Sequence, residues 1–142
     1  FLLIPLFFTI ILRYLSFYPI YMEEIFNFQK VAGLLSEYGF NCMKLADDWQ
    51  GADFLAYHKN GSHTLKVQLK SRLMIGKKYQ KKSLYMVFPL RSAWYLIEHD
   101  RLVALVKVHT NWLTTESWRK HGTYSTMNPN PKLIAALQGS KL

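Results

Sequence analysis

A chain of 142 residues, half of them hydrophobic, is long enough for one domain with a real core. Eighteen Lys and Arg against nine Asp and Glu leave a net charge of +9, which favours a polyanionic partner, nucleic acid or an anionic membrane surface. The single cysteine, Cys42, excludes an internal disulfide and a multi-thiolate zinc site, and it fits a reducing, cytoplasmic compartment.

Residues 1–21 carry one charge, Arg13, and prolines at 5 and 19. Their length and polarity reach the lower edge of a membrane span, yet they lack a basic n-region and a small-residue cleavage site. The first methionine is Met22, and a well-patterned segment begins just after it. The expectation is an apolar leader at 1–21, from a start placed too early, and one domain at 22–142. A membrane anchor is the rival reading, and a helix packed on the domain is the third.

Residues 22–38 read as a helix, with Ile25, Phe28, Ala32 and Leu35 as its apolar stripe. Glu24 falls on that stripe, where an unpaired carboxylate is costly, although an acid in the first turn also suits the helix dipole. Gly39 is a natural helix end. Phe40–Leu45 reads as a short strand, and Asp47 and Asp48 read as turn formers in the following loop.

Asn60-Gly61 then predicts a two-residue type I′ turn. In that register His58 faces His63, Tyr57 faces Thr64, Leu55 faces Lys66 and Asp53 faces Gln68. Side chains alternate along a strand, and opposed residues share a face. One face therefore carries Phe54, Ala56, Leu65, Val67 and Leu69, a core face. The other carries Asp53, Leu55, Tyr57, Lys66, Gln68 and Lys70. A carboxylate and an amide oxygen are hard ligands suited to Mg²⁺, with Mn²⁺ an alternative, and the Leu69 carbonyl offers a third oxygen. Lys70 would stand beside such an ion, able to orient a water or steady charge on a phosphate. Ordinary polar residues on a half-solvated sheet face are the competing reading. His58 and His63, as a pair, are too few for a recognisable zinc site.

Seven of the 18 cations, Lys66, Lys70, Arg72, Lys77, Lys78, Lys81 and Lys82, crowd the next stretch. With Tyr79 interleaved, Arg72 to Lys82 reads as a loop that tracks a phosphate backbone and offers an aromatic for stacking. Leu84–Leu90 is a buried-looking strand. Ala93–Glu98 and Leu102–Val108 read as a second hairpin around His99-Asp100-Arg101, with Trp94 and Tyr95 as base stackers or, more commonly, core. Asn111–Lys120 reads as a short helix ended by Gly122, Thr123–Asn128 as a loop, and Asn130-Pro131 as the cap and first residue of a last helix. No internal repeat, Gly-rich phosphate loop or nucleophile elbow is present.

Asp, then a hairpin, then Glu/Gln-x-Lys on the second strand resembles the PD-(D/E)xK nuclease superfamily, the restriction-endonuclease-like fold. Asp53, Gln68 and Lys70 occupy the motif positions. Tyr38-Gly39-Phe40 before the first strand is similar to the archaeal Holliday-junction resolvase branch. The resemblance covers about residues 24–73. Gln68 departs from the commoner Glu, and the helix acid expected near Phe28 or Gln29 is missing, so Glu24 is the candidate and Gln29 the fallback.

The resemblance implies an α+β fold: a helix, a mixed sheet of about five strands and C-terminal helices. It implies a Mg²⁺-dependent DNA endonuclease, with Asp53, Gln68 and the Leu69 carbonyl on the metal, Lys70 at the water and Glu24 completing the shell. Arg72, Lys77, Lys78, Tyr79, Lys81 and Lys82 would hold DNA, and cutting both strands would commonly need a homodimer. Two rivals stand beside it: a nucleic-acid-binding module with a weakened metal site, and a membrane-anchored interaction protein if residues 1–21 are genuine.

Overall fold

A computed structural model describes residues 19–142, and their side chains from residue 23 on. The leader and anchor readings of residues 1–18 lie outside the described residues. No described helix is long and apolar enough to cross a membrane. The chain divides into two compact units, one ending at Lys30 and the other beginning at Val31.

The described part of the first unit is helical and belongs to α1 (Pro19–Glu37). Its apolar stripe is only partly where periodicity put it: Ile25 is exposed, Phe28 and Ala32 are half-buried, and Leu35 is buried. Glu24 is exposed as well, which removes the premise of an inward carboxylate, and the fallback Gln29 is exposed too. Burial begins in the second unit, at Val31 and Leu35, one turn apart.

That second unit is built on a five-stranded mixed sheet in the order β1-β2-β3-β5-β6. The strands are β1 (Phe40–Trp49), β2 (Ala52–His58), β3 (Thr64–Leu69), β5 (Leu84–Leu90) and β6 (Ala93–Glu98). Only β3 and β5 run parallel; the other neighbours are antiparallel hairpins. A small second sheet pairs β4 (Leu73–Gly76) with β7 (Thr123–Thr126). Helices α2 (His99–His109) and α3 (Pro131–Ala136) follow the main sheet in the chain. α2 packs on β4, β5 and β6, and α3 packs on α2. The architecture is the expected α+β arrangement of a helix, a mixed five-stranded sheet and C-terminal helices.

The central hairpin keeps the expected register: Leu55 pairs with Lys66 and Tyr57 with Thr64. Its turn differs. Gly61 has a positive φ of 76° and Asn60 does not, so the turn is not type I′. His58 N–H donates to the His63 carbonyl and Gly61 N–H to the His58 carbonyl, closing a four-residue loop. Two-residue and four-residue loops centred on the same bond give the same pairing, which is why the register survived.

Four other segments depart from the sequence reading. Asp47 and Asp48 are in β1, which runs on past a register break to Trp49. Leu102–Val108 is not a strand. His99, Leu102 and Val106 are buried at spacings of three and four, a helical stripe concealed by reading His99-Asp100-Arg101 as a turn. Residues 111–120 form no regular helix but a 3₁₀ turn (Trp112–Thr114) and the start of a π turn (Ser117–His121). The segment after Gly122 is strand β7. The last helix is as expected, with Asn130 Oδ1 accepting from Leu133 N–H and Pro131 at its first position.

Buried side chains lie on both faces of the main sheet, although edge strand β1 has none. Phe54, Ala56 and Val67 are fully buried on one face. On the other, Gln68 lies beside Met86, and Met86 beside Ile97. That face joins Leu84, Met86, Phe88, Leu90, Tyr95 and Ile97 to Leu102, Val106 and Leu133 in the main core. Fully burying each such side chain contributes roughly 1.5–3 kcal/mol. The polar face of β2 and β3 thus runs into an apolar core at β5, and the site stands on that margin.

Candidate metal and nucleic-acid site

Beyond the Phe54–Val67 pair of β2 and β3, a side chain takes over. Asp53 Oδ2 accepts Leu69 N–H at 2.8 Å and Gln68 Nε2–H at 2.7 Å. The carboxylate on one strand is therefore fixed by the backbone and the amide of the other. Gln68 is 6 % exposed. Its Nε2 must face the carboxylate, because turning the amide over would set oxygen against oxygen. That leaves Gln68 Oε1 buried with no hydrogen-bond partner. Such an orphan costs about 1–3 kcal/mol unless something else satisfies it.

Lys70, two residues beyond Gln68, is half-buried. Its N–H donates to the Val87 carbonyl, and its Nζ lies 5.6 Å from the centre of the Tyr79 ring. Asp53, Gln68 and Lys70 are thus gathered at one end of one hairpin. Leu69 lies between the last two, its N–H already given to Asp53. Glu24 is exposed in the first unit. Asp48 is a turn former, its Oδ1 accepting Gly51 N–H. Lys66 donates to Gln50 Oε1.

The donors present are oxygens: a carboxylate, an orphaned amide oxygen and a nearby carbonyl. That set fits Mg²⁺ or Mn²⁺ in kind, with a single formal charge from the protein, so phosphate oxygens would have to supply the rest. No group of three His, Cys, Asp or Glu side chains gathers among the described residues. At the hairpin tip, His58 Nε2 is 3.1 Å from the Tyr38 carbonyl and His63 Nδ1 is 2.7 Å from Ser62 Oγ.

The basic segment is more ordered than a loop. Arg72, Lys77, Lys78, Lys81 and Lys82 are exposed, as expected of backbone contacts. Tyr79 is not: it is 3 % exposed and belongs to the core, so it is no stacking platform. Trp94 and Tyr95 are buried likewise. The role of Tyr79 is that of a shelf, with the ammonium groups of Lys70 and Lys78 at 5.6 and 4.9 Å from its ring centre.

Sequence reading missed His99 and Asp100, which fix this segment. Fully buried, His99 accepts Gly76 N–H on Nε2 at 3.1 Å and meets the Tyr79 ring edge-on. The Asp100 carboxylate accepts Lys81 N–H through both oxygens, at 3.0 and 3.2 Å. Burial pushes the His99 pKa below its ordinary value, with the Asp100 carboxylate, 3.6 Å from Nδ1, opposing. The only sequence signal was the His-Asp pair itself, which also suits a turn.

No family model matches the chain, and no curated protein does. Among solved structures, the chain is similar to the Holliday junction resolvase Hjc of Archaeoglobus fulgidus, a hyperthermophilic archaeon. The likeness covers 52 % of this chain and 76 % of that one, at 18 % identity and a TM-score of 0.42.

Proposed function

We propose that the chain is a divalent-metal-dependent endonuclease acting on DNA. The observation that carries this reading is the orphaned Gln68 Oε1 beside the Asp53 carboxylate, with Lys70 two residues further along the chain. Asp53, Gln68 and the Leu69 carbonyl would hold Mg²⁺ or Mn²⁺. When bound, the ion supplies Lewis-acid stabilisation of the phosphate and a more acidic water. Asp53 orients through its two hydrogen bonds, so its carboxylate is preset before any ligand arrives. Lys70, held against Tyr79, brings a positive charge to the reacting phosphate and orients the attacking water. Arg72, Lys78, Lys81 and Lys82 bind the DNA backbone. Action on DNA, a homodimer for paired cuts and a cytoplasmic setting all belong to this reading.

One observation favours a second reading, a DNA-binding module without cleavage. The Gln68 amide already occupies Asp53, and the pair offers one negative charge where a Glu would offer two. Incubating the full chain with linear and branched duplexes, with Mg²⁺, Mn²⁺ or EDTA, separates them. Metal-dependent cutting supports the nuclease. Binding that weakens steeply with salt, without cutting in any metal, supports the module.

A further inference from the structure

A second run of positive charge, Arg119-Lys120-His121, lies against the first although it is some forty residues away in sequence. The two are joined at Lys77. Its N–H donates to the Gly122 carbonyl at 2.8 Å, and its Nζ to the Arg119 carbonyl at 3.4 Å. The same ammonium lies 5.6 Å from the centre of the Trp118 ring. The Lys77 stem runs so close to Gly122 that a Cβ there would touch Lys77 Cδ, Cβ and Cγ at 3.5–3.7 Å. Pairing of Gly76 with Thr123 fixes the same junction in the backbone. Lys77 is therefore a pin between the two segments, and it keeps its charge exposed where they meet.

We propose that the turn Ser117–His121 is a second limb of the polyanion-binding surface, with Arg119 and Lys120 as its phosphate contacts. The proposal rests on the DNA-binding part of the reading above and extends it to residues outside the nuclease-like hairpin. Trp118 is buried and anchors the turn, while Arg119, Lys120 and His121 are exposed. Arg119 makes no ion pair among the described residues, and Lys120 pairs only with Glu116, both groups about 70 % exposed. So exposed a pair is worth little and gives way cheaply to a phosphate. Of the large apolar residues of the two limbs, Leu73, Ile75, Tyr79 and Trp118 are buried and Met74 is half-buried, so the limbs present charge rather than an apolar face. That combination suits a nucleic-acid backbone better than a bilayer, where binding needs an inserted apolar face.

The test is fluorescence anisotropy of a labelled duplex in EDTA, using the full chain across a salt series. Arg119→Ala/Lys120→Ala is compared with Lys81→Ala/Lys82→Ala and with the charge-conserving Arg119→Lys/Lys120→Arg. Each alanine pair is expected to reduce the slope of log affinity against log salt by about 1 for each residue removed. The charge-conserving pair should keep the original slope. A wild-type slope in Arg119→Ala/Lys120→Ala, alongside a reduced slope in Lys81→Ala/Lys82→Ala, overturns the second limb and leaves DNA binding standing. Absence of duplex binding by the unsubstituted chain overturns both together. Binding to anionic phosphatidylserine vesicles that needs Arg119 and Lys120, with duplex binding indifferent to them, also overturns it.

Discussion

Gln68 Nε2 donates to Asp53 Oδ2 at 2.7 Å and leaves its own Oε1 buried without a partner. The pair is closed by one hydrogen bond and under-satisfied by another. Gln68→Glu removes the donor and sets two carboxylates side by side. Without metal, the variant is expected to lose stability, on the order of 1–3 kcal/mol. Mn²⁺ should restore it by binding the folded state alone. Thermal melts with and without Mn²⁺ check this; a variant indifferent to metal contradicts the proposed ligand set.

His99 gives the fold an acid sensitivity. Its pKa is lowered by burial, so the unfolded chain binds the proton more readily than the folded one. The neutral form must also keep Nε2 as acceptor for Gly76 N–H. Stability is therefore full above the unfolded pKa, about 6.5, and is lost as pH falls from there through the lower folded value. The Asp100 carboxylate, 3.6 Å from Nδ1, opposes the shift. Urea midpoints at pH 7.5 and 5.5 should differ more in the wild type than in His99→Gln.

Gly39 closes α1 with φ 85°, and a Cβ there would sit 2.6 Å from His58 Nε2. Gly39→Ala combines a left-handed backbone with that overlap and is expected to cost about 1–3 kcal/mol. Adding His58→Ala should recover the steric part alone. Urea denaturation of the single and double variants measures both parts.

Cys42 is half-buried, and burial raises its thiol pKa to about 11. The nucleophilic thiolate is scarce at neutral pH. Alkylation by iodoacetamide at pH 8 should therefore be much slower in the native chain than in urea. Equal rates would show a strand β1 that opens readily.

Periodicity and turn chemistry made the central hairpin legible. Asn60-Gly61 located the turn, and counting back from it placed Asp53 opposite Gln68. The wrong turn type did no harm because it shared its centre with the right one. Legibility failed where a short segment satisfied two periods. Leu102–Val108 is a nearly continuous, Val-rich apolar run that reads like a buried strand, but His99, Leu102 and Val106 bury one helical face. It failed again for Tyr79, whose charged neighbours suggested a surface residue. Tertiary packing against His99 put the ring inside and left only the flanking ammonium groups at the surface. The junction of Lys77 with Gly122 was invisible for the usual reason: nothing local encodes a contact between segments so far apart.

The central claim is that the hairpin's polar face is a metal-dependent nuclease site. Supercoiled plasmid incubated with the full chain in Mg²⁺, Mn²⁺ or EDTA tests it most directly, beside Asp53→Ala and Lys70→Ala. The account predicts nicking that needs metal, is abolished in Asp53→Ala, and falls roughly 10²–10³-fold in Lys70→Ala while both variants still bind DNA. Cutting that survives both substitutions, or an absence of cutting in either metal, would contradict it.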